Sequence, residues 1–257
     1  MHRREKTIRI GLSILALAIL LPFVFMIWKS FAGDHGVSAQ AYFKVFLAEP
    51  GYLIKFWRSL FLSIVCAAGQ TVISCMAALA FSKYKVKGWK IILGMMMLFM
   101  ILPVQVTLLP NYILLDKLNL LNTWWALIIP SVFAPFGTVW LTFIFWTVPD
   151  DILGAARLDG ANVRQTICDI LVPVVKAPIV TLFILSFVES WNMVEQPLTF
   201  LHNVSQYPIS IFLVIMNEKS TAIQSVCGIL CLIPVTLLFF YYHEEFVEGI
   251  GNLFEND

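Results

Sequence analysis

Glu189, Trp191, Asn192 and Gln196 are the residues of this chain whose types and spacing fit ligand chemistry. They fall in an otherwise apolar stretch that opens at Lys176, and Asn192 and Gln196 follow Glu189 at +3 and +7, the spacing of one helix face. At ~1.5 Å of rise per residue, Glu189 lies about 20 Å from Lys176 and Glu195 about 29 Å. Glu195 therefore reaches the far boundary of a membrane, whereas a carboxylate at the depth of Glu189 must face other helices or water. Planar amides and carboxylates share hydrogen bonds with sugar hydroxyls, and an aromatic ring such as Trp191 covers the apolar face of a sugar. The same stripe is equally able to bond neighbouring helices or a partner subunit, with Trp191 as an interfacial anchor. Gln70, Thr71, Ser74 and Gln105 are weaker candidates for lining a path and read better as bonds between helices.

Other chemistries lack their residues. The chain has no Gly-x-x-x-x-Gly-Lys-Ser/Thr phosphate loop, no His-Glu-x-x-His and no Gly-x-Ser-x-Gly. Catalysis is therefore not expected. Cys227 and Cys231 share a helix face, but without a third Cys or a nearby His they read as packing, and no metal site is expected. Cys66, Cys75 and Cys168 imply no disulfide framework, and His35, His202 and His243 stand isolated.

The elements that must position these residues follow from composition. Of 257 residues, 60% are apolar and 13% charged, with a mean hydropathy of +0.84. A soluble domain carries about a quarter charged residues, so this is a membrane protein. A net charge of +1 with no basic and aromatic stripe excludes nucleic-acid binding. The apolar residues fall in six blocks, near 9–31, 59–82, 90–110, 124–148, 176–197 and 222–243, each about the length that crosses a bilayer core. The expected fold is an all-α polytopic bundle of six transmembrane helices, one domain over 1–257. Ser30-Phe31-Ala32 has the spacing of a signal-peptidase site, but the preceding run from Ile10 to Trp28 exceeds a signal core and reads as an uncleaved first span.

An even number of spans puts both termini on one side. A cytoplasmic N-terminus places Arg3, Arg4, Lys6, Arg9, Lys83, Lys85, Lys87, Lys90, Arg157, Arg164 and Lys176 inside, eleven of the seventeen basic residues. Lys29, Lys44, Lys55 and Arg58 vote the other way, partly offset by Asp34 and Glu49. Their segment includes 39–56, an expected interfacial helix.

The connection over 149–173 carries the most local information. Asp150 is suited to cap a short helix, with Asp151 near its positive end. Gly160 suits the left-handed turn that ends it. Asn162 and Gln165 have capping-box spacing for a second helix, which Pro173 should end. Gly154, Ala155 and Ala156 leave the first helix nearly bare, open to close approach by another protein.

These residues resemble the cytoplasmic loop of permease subunits of ATP-binding-cassette importers, Glu-Ala-Ala, three residues, Gly, nine residues, Ile-x-Leu-Pro. The match is Ala155-Ala156, then Asp159-Gly160-Ala161, then Ile170 to Pro173, with Gly154 where the family has Glu. Leu118 to Thr123, Ser190-Trp191-Asn192, Gln196-Pro197-Leu198 and Phe246 to Gly249 extend the likeness to the carbohydrate branch, similar to the smaller subunit of maltose-type systems. The basic C-terminal ending of that branch is absent.

The resemblance implies a coupling helix at Gly154, Ala155, Ala156, Asp159, Gly160 and Ala161 that docks on an ATPase, with the Gly154 departure bearing on the strength of docking. It implies a heterodimer with a second permease, an ATPase dimer that binds ATP and Mg, and an extracytoplasmic solute-binding protein, all at the cell membrane. A sugar or oligosaccharide cargo moved by alternating access is expected, with most of the membrane sugar site in the other permease. A polyamine permease and an ion-coupled secondary transporter are the rival readings. Gly160→Pro or a bulky residue at Ala156 is expected to uncouple transport while leaving insertion intact.

Overall fold

The computed structural model describes residues 2–33, 36–49, 51–84, 86–211 and 220–251; Asp34, His35 and Lys85, used above for orientation and as isolated groups, lie outside them. In chain order the helices are α1 (His2–Ser30), α2 (Gln40–Phe43), α3 (Gly51–Ser82), α4 (Trp89–Ile101), α5 (Val104–Lys117), α6 (Trp125–Val132), α7 (Pro135–Thr147) and α8 (Asp150–Leu158). They continue with α9 (Val163–Gln165), α10 (Val172–Val174), α11 (Lys176–Trp191), α12 (Glu195–Phe200), α13 (Thr221–Tyr241) and α14 (His243–Gly251). A two-residue hairpin, Ala32–Gly33 with Gly36–Val37, follows α1. A π-helical turn, Lys44–Ala48, extends α2 at the expected interfacial segment.

Among the described residues, four stretches are long and apolar enough to cross a membrane: Arg9–Ser30, Gly51–Ser82, Trp125–Thr147 and Thr221–Tyr241. The count reaches six only if two bent pairs each count as a span. The stretch expected as one helix over 90–110 is instead α4 and α5, bent by 113°. The cause is local: Pro103 has no N–H for the helix ladder and forces Leu102 into an extended conformation, ψ 129°. The stretch expected over 176–197 is also interrupted, because α11 ends at Trp191 and α12 starts afresh at Glu195. On its other side α11 meets the 166–174 helical segment at 79°.

α3, 32 residues long, is the helix around which the rest pack. It lies against α7 and α11. An added Cβ at Gly137 of α7 would collide with the Ser74 hydroxyl of α3 and come within 3.0 Å of the Leu182 side chain of α11, so the three helices meet at one small residue. At Gly69 a Cβ would lie 2.6 Å from Val132. Two threonine hydroxyls buried in this seam bond back along their own helices, Thr71 to the Ala67 carbonyl at 2.8 Å and Thr142 to the Thr138 carbonyl at 2.6 Å, whereas Ser74 Oγ and Gln70 Nε2 are buried with no hydrogen-bond partner among the described residues. Thr71, Gln70 and Ser74 are all buried here, so the structure assigns them to helix packing.

One end of the bundle is closed by Ala78, Leu141, Phe145, Leu171 and Leu182, which pack under α8. The other is closed by Leu62, Leu115, Leu127, Phe200 and Leu201. There Asn122, in the left-handed conformation at φ 60°, receives the His202 and Asn203 amides on Oδ1 at 3.1 and 3.2 Å. α14 folds back on α11, with Lys176 Nζ 2.9 Å from Glu245 Oε1.

Two outcomes follow. Gly137→Ala should destabilise the detergent-purified protein by about 1–3 kcal/mol through overpacking, measured by thermal unfolding. The Lys176 hydrogen bond holds the Glu245 carboxyl below the usual carboxylate range. Its contribution to α14 docking is therefore full at neutral pH and lost as the pH falls through that range and below. Amide hydrogen exchange over 243–251, corrected for its intrinsic pH dependence, should accelerate on that descent and not on ascent to pH 8.

Candidate functional site

The 149–173 connection forms helix, tight turn, helix. α8 has Asp150 as its first residue, so Asp150 lies inside the helix rather than ahead of it. Gly160 takes φ +78° and the Ala161 amide closes on the Ala156 carbonyl at 3.0 Å, the wrapped ending that a left-handed glycine permits. The reciprocal box is present: Asn162 N donates to Gln165 Oε1 and Gln165 N to Asn162 Oδ1, both at 2.9 Å. Pro173 does not end the second helix. The chain passes through a π-helical stretch, Thr166–Leu171, and α10 carries Pro173 near its start before the bend at Val175. Pro173 sits in the first turn of α10, where the N–H that proline lacks would have no helical partner.

α8 has two unlike faces. Ile152 and Leu153 pack against the cluster of Val148, Leu171 and Val175. Ala156 belongs to this inner face: it is 3% exposed, so the expectation that it contributes bare outer surface is corrected by the rotation of the helix on its own bundle. Gly154, Ala155, Asp159 and Gly160 are exposed, and Ala161 is half-buried in the turn. Nothing lies within 4 Å of a Cβ added at Gly154, so a side chain can start there without meeting a neighbour. The residue that sequence reading missed is Leu158, 91% exposed. It falls at +4 from Gly154 and +3 from Ala155, and that spacing on a short amphipathic helix was the available signal. Lys83, just past the end of α3, donates from Nζ to Asp150 Oδ1 at 2.7 Å and to the Val148 carbonyl.

The polar stripe expected along one helix face does not exist as such. Glu189 and Asn192 remain neighbours at the exposed end of α11, where the Asn192 amide donates to the Val188 carbonyl at 2.8 Å. Gln196 belongs to α12, past a break at Asn192–Val194, and its +7 relation to Glu189 no longer defines a common face. Trp191 is buried. Its Nε1 donates to the Cys231 carbonyl at 3.1 Å, and its ring stacks on Phe187 at 5.8 Å and meets Phe56 edge-on at 5.7 Å. It is a core residue of the α3, α11 and α13 contact, not an open platform for a sugar ring. In place of the stripe, Gln105 Nε2 of α5 donates to Glu195 Oε1 of α12 at 2.6 Å, tying the two interrupted stretches together. An exposed carboxylate on an apolar helix, as at Glu189, requires a partner subunit or an aqueous path beside it.

Residues 70–249 match the family described as binding-protein-dependent transport system inner membrane component. The chain is 23% identical over 258 residues to the arabinooligosaccharides transport system permease protein AraQ of Halalkalibacterium halodurans, covering 94% of this chain and 92% of that one. It is 28% identical over 204 residues to the sn-glycerol-3-phosphate transport system permease protein UgpE of Shigella flexneri, covering 76% and 73%. The crystal structure of a bacterial ABC transporter that imports the acidic polysaccharide alginate contains a chain of the same fold, with a TM-score of 0.81 at 18% identity over 91% of this chain and 93% of that one. With its apolar helices and its glycine-turned 149–173 connection, the chain belongs to the family of binding-protein-dependent transport system inner membrane components. It is thus a multi-pass permease subunit rather than an enzyme, and its ATPase and solute-binding partners are separate proteins.

Proposed function

We propose that this chain is one permease of a heterodimeric importer for a sugar or oligosaccharide, a single membrane domain with both termini in the cytoplasm. An ATPase dimer that binds ATP and Mg docks on the 150–173 loop, and an extracytoplasmic solute-binding protein delivers the cargo to the opposite face. Closure of the ATPase pair displaces α8 and reorients the helices around a central path, which is alternating access. The cargo class is supported by the relative whose name specifies arabino-oligosaccharides and by the carbohydrate-type segments of the sequence; the relative named for sn-glycerol 3-phosphate carries a phosphorylated polyol instead. Glu189 and Asn192 are the path-facing polar groups at the end of α11, with Gln196 a further candidate on α12.

The observation that carries the reading is the outer face of α8. Gly154 and Ala155 keep its backbone approachable, Leu158 stands out from it as an apolar knob, and Ile152, Leu153 and Ala156 hold the opposite face to the bundle. Burying a leucine side chain in a partner pocket is worth ~2 kcal/mol, or roughly thirtyfold in affinity.

Five substitutions separate docking from folding. Tagging the C-terminus in the native host and identifying co-purified proteins by mass spectrometry should recover an ATPase and a second permease with the unaltered chain. Leu158→Asp and Gly160→Pro should lose the ATPase while remaining in the membrane fraction; retention of the ATPase by both would remove the docking role from this loop. Gly154→Glu should retain it. Ala155→Leu and Ala156→Leu should differ in kind: at exposed Ala155 the change alters stability by less than ~0.5 kcal/mol and weakens docking, whereas at buried Ala156 overpacking costs about 1–3 kcal/mol. Thermal unfolding of the two variants reads the difference.

A further inference from the structure

The Lys83 side chain is 5% exposed, although it directly follows α3 in a loop whose Tyr84 and Lys87 are exposed. Its ammonium reaches two acceptors on either side of Pro149: the Val148 carbonyl, at the C-terminal end of α7, and Asp150 Oδ1, 2.7 Å away at the first residue of α8. The cation sits at the negative end of one helix dipole, and the Asp150 carboxylate it holds sits at the positive end of the next. A lysine ammonium taken out of water needs such partners, because an unpaired buried charge is strongly destabilising. One side chain therefore joins the ends of α3, α7 and α8, across a linker whose central residue has a fixed φ.

The far end of α3 is pinned as well. Ser59 Oγ accepts the Ile209 amide at 2.7 Å, and Lys55 Nζ and Arg58 donate to the Val204 and Ser205 carbonyls at 3.3 Å. A 32-residue helix is about 48 Å long. α3 is thus a rod tied at one end to the start of α8 and at the other to the 204–209 segment.

We infer that Lys83 is a positioning residue that clamps the start of the coupling helix to α3, so that displacement of α8 is carried along α3 to the 204–209 segment at the opposite membrane face. This rests on the docking role proposed for α8. Apolar contact through Ile152 and Leu153 allows sliding, whereas the bridge fixes α8 to the end of α3.

The test uses the co-purified complex in lipid nanodiscs, with native cysteines replaced and spin labels at Val37 and Val204, both exposed. Their distance is measured by pulsed electron resonance with and without ATP plus vanadate, and retained ATPase is quantified in the same samples. The unaltered complex should show a nucleotide-dependent change in distance. Lys83→Met should keep the ATPase and lose that change, and Lys83→Arg, which can bridge the same two oxygens, should restore it. Asp150→Ala breaks the bridge from its 74% exposed side and should reproduce the loss, although it leaves the buried Lys83 ammonium on the Val148 carbonyl alone. Lys83→Met instead removes the buried charge and leaves the exposed Asp150 carboxylate without this bridge, so the two variants strain the fold in different ways and cover one another. A change of unaltered size in Lys83→Met or Asp150→Ala overturns the clamp while leaving docking intact. Absence of the ATPase from the unaltered complex overturns the docking role, and the clamp with it.

Discussion

The close approach of α3, α7 and α11 at Gly137 is the contact on which the rest of the bundle depends. Lipid tails are as apolar as leucine side chains, so helices in a bilayer are held by close packing rather than by expulsion of water. Small residues make that possible here, with Gly137 against Ser74 and Leu182, and Gly69 against Val132. Thr71 and Thr142 in the seam bond to their own helices, whereas the Ser74 hydroxyl beside Gly137 has no hydrogen-bond partner among the described residues. α3 thereby becomes the fixed reference against which both ends of the molecule are organised.

The interruptions are the second consequence of the membrane. A spanning segment must satisfy its own backbone, so irregular backbone is tolerated only where protein or water covers it. The breaks at Leu102–Pro103, at Phe133–Ala134 and at Asn192–Val194 divide three of the expected spans. Two of the resulting short helices, α5 and α12, are joined by the Gln105 to Glu195 hydrogen bond at 2.6 Å. Broken helices of this kind offer places where a bundle can change shape without unravelling, which suits a family whose members move solutes through a membrane.

α8 shows how nine residues serve two partners. Its apolar residues at 152 and 153, with Ala156, face the bundle, and Gly154, Ala155 and Leu158 face away. The wrapped turn at Gly160 and the Asn162 to Gln165 box hold the helix at both its end and its continuation. Lys83 anchors its start. The outer face is therefore presented on a helix held at both its start and its end.

The sequence by itself determined what short-range chemistry decides. Apolar blocks of bilayer length, a glycine able to adopt a left-handed turn, an Asn and Gln three residues apart and the order of the loop residues are all read within a few positions, and each is satisfied by backbone groups close by. Only the tertiary structure decided what depends on partners far along the chain. Ala156 and Leu158 are two residues apart and equally apolar in the sequence, yet the roll of α8 on Leu171 and Val175 buries one and exposes the other. Trp191 has the look of a binding platform until Cys231, forty residues away, takes its N–H. The stripe from Glu189 to Gln196 assumed an unbroken helix, and the end of α11 at Trp191 removes that assumption. Lys83 reads as one basic residue among several in a loop, and only the fold brings Val148 and Asp150 to it. Local hydrogen bonding is written in spacing, whereas the face a helix buries is set by the shape of everything it packs against.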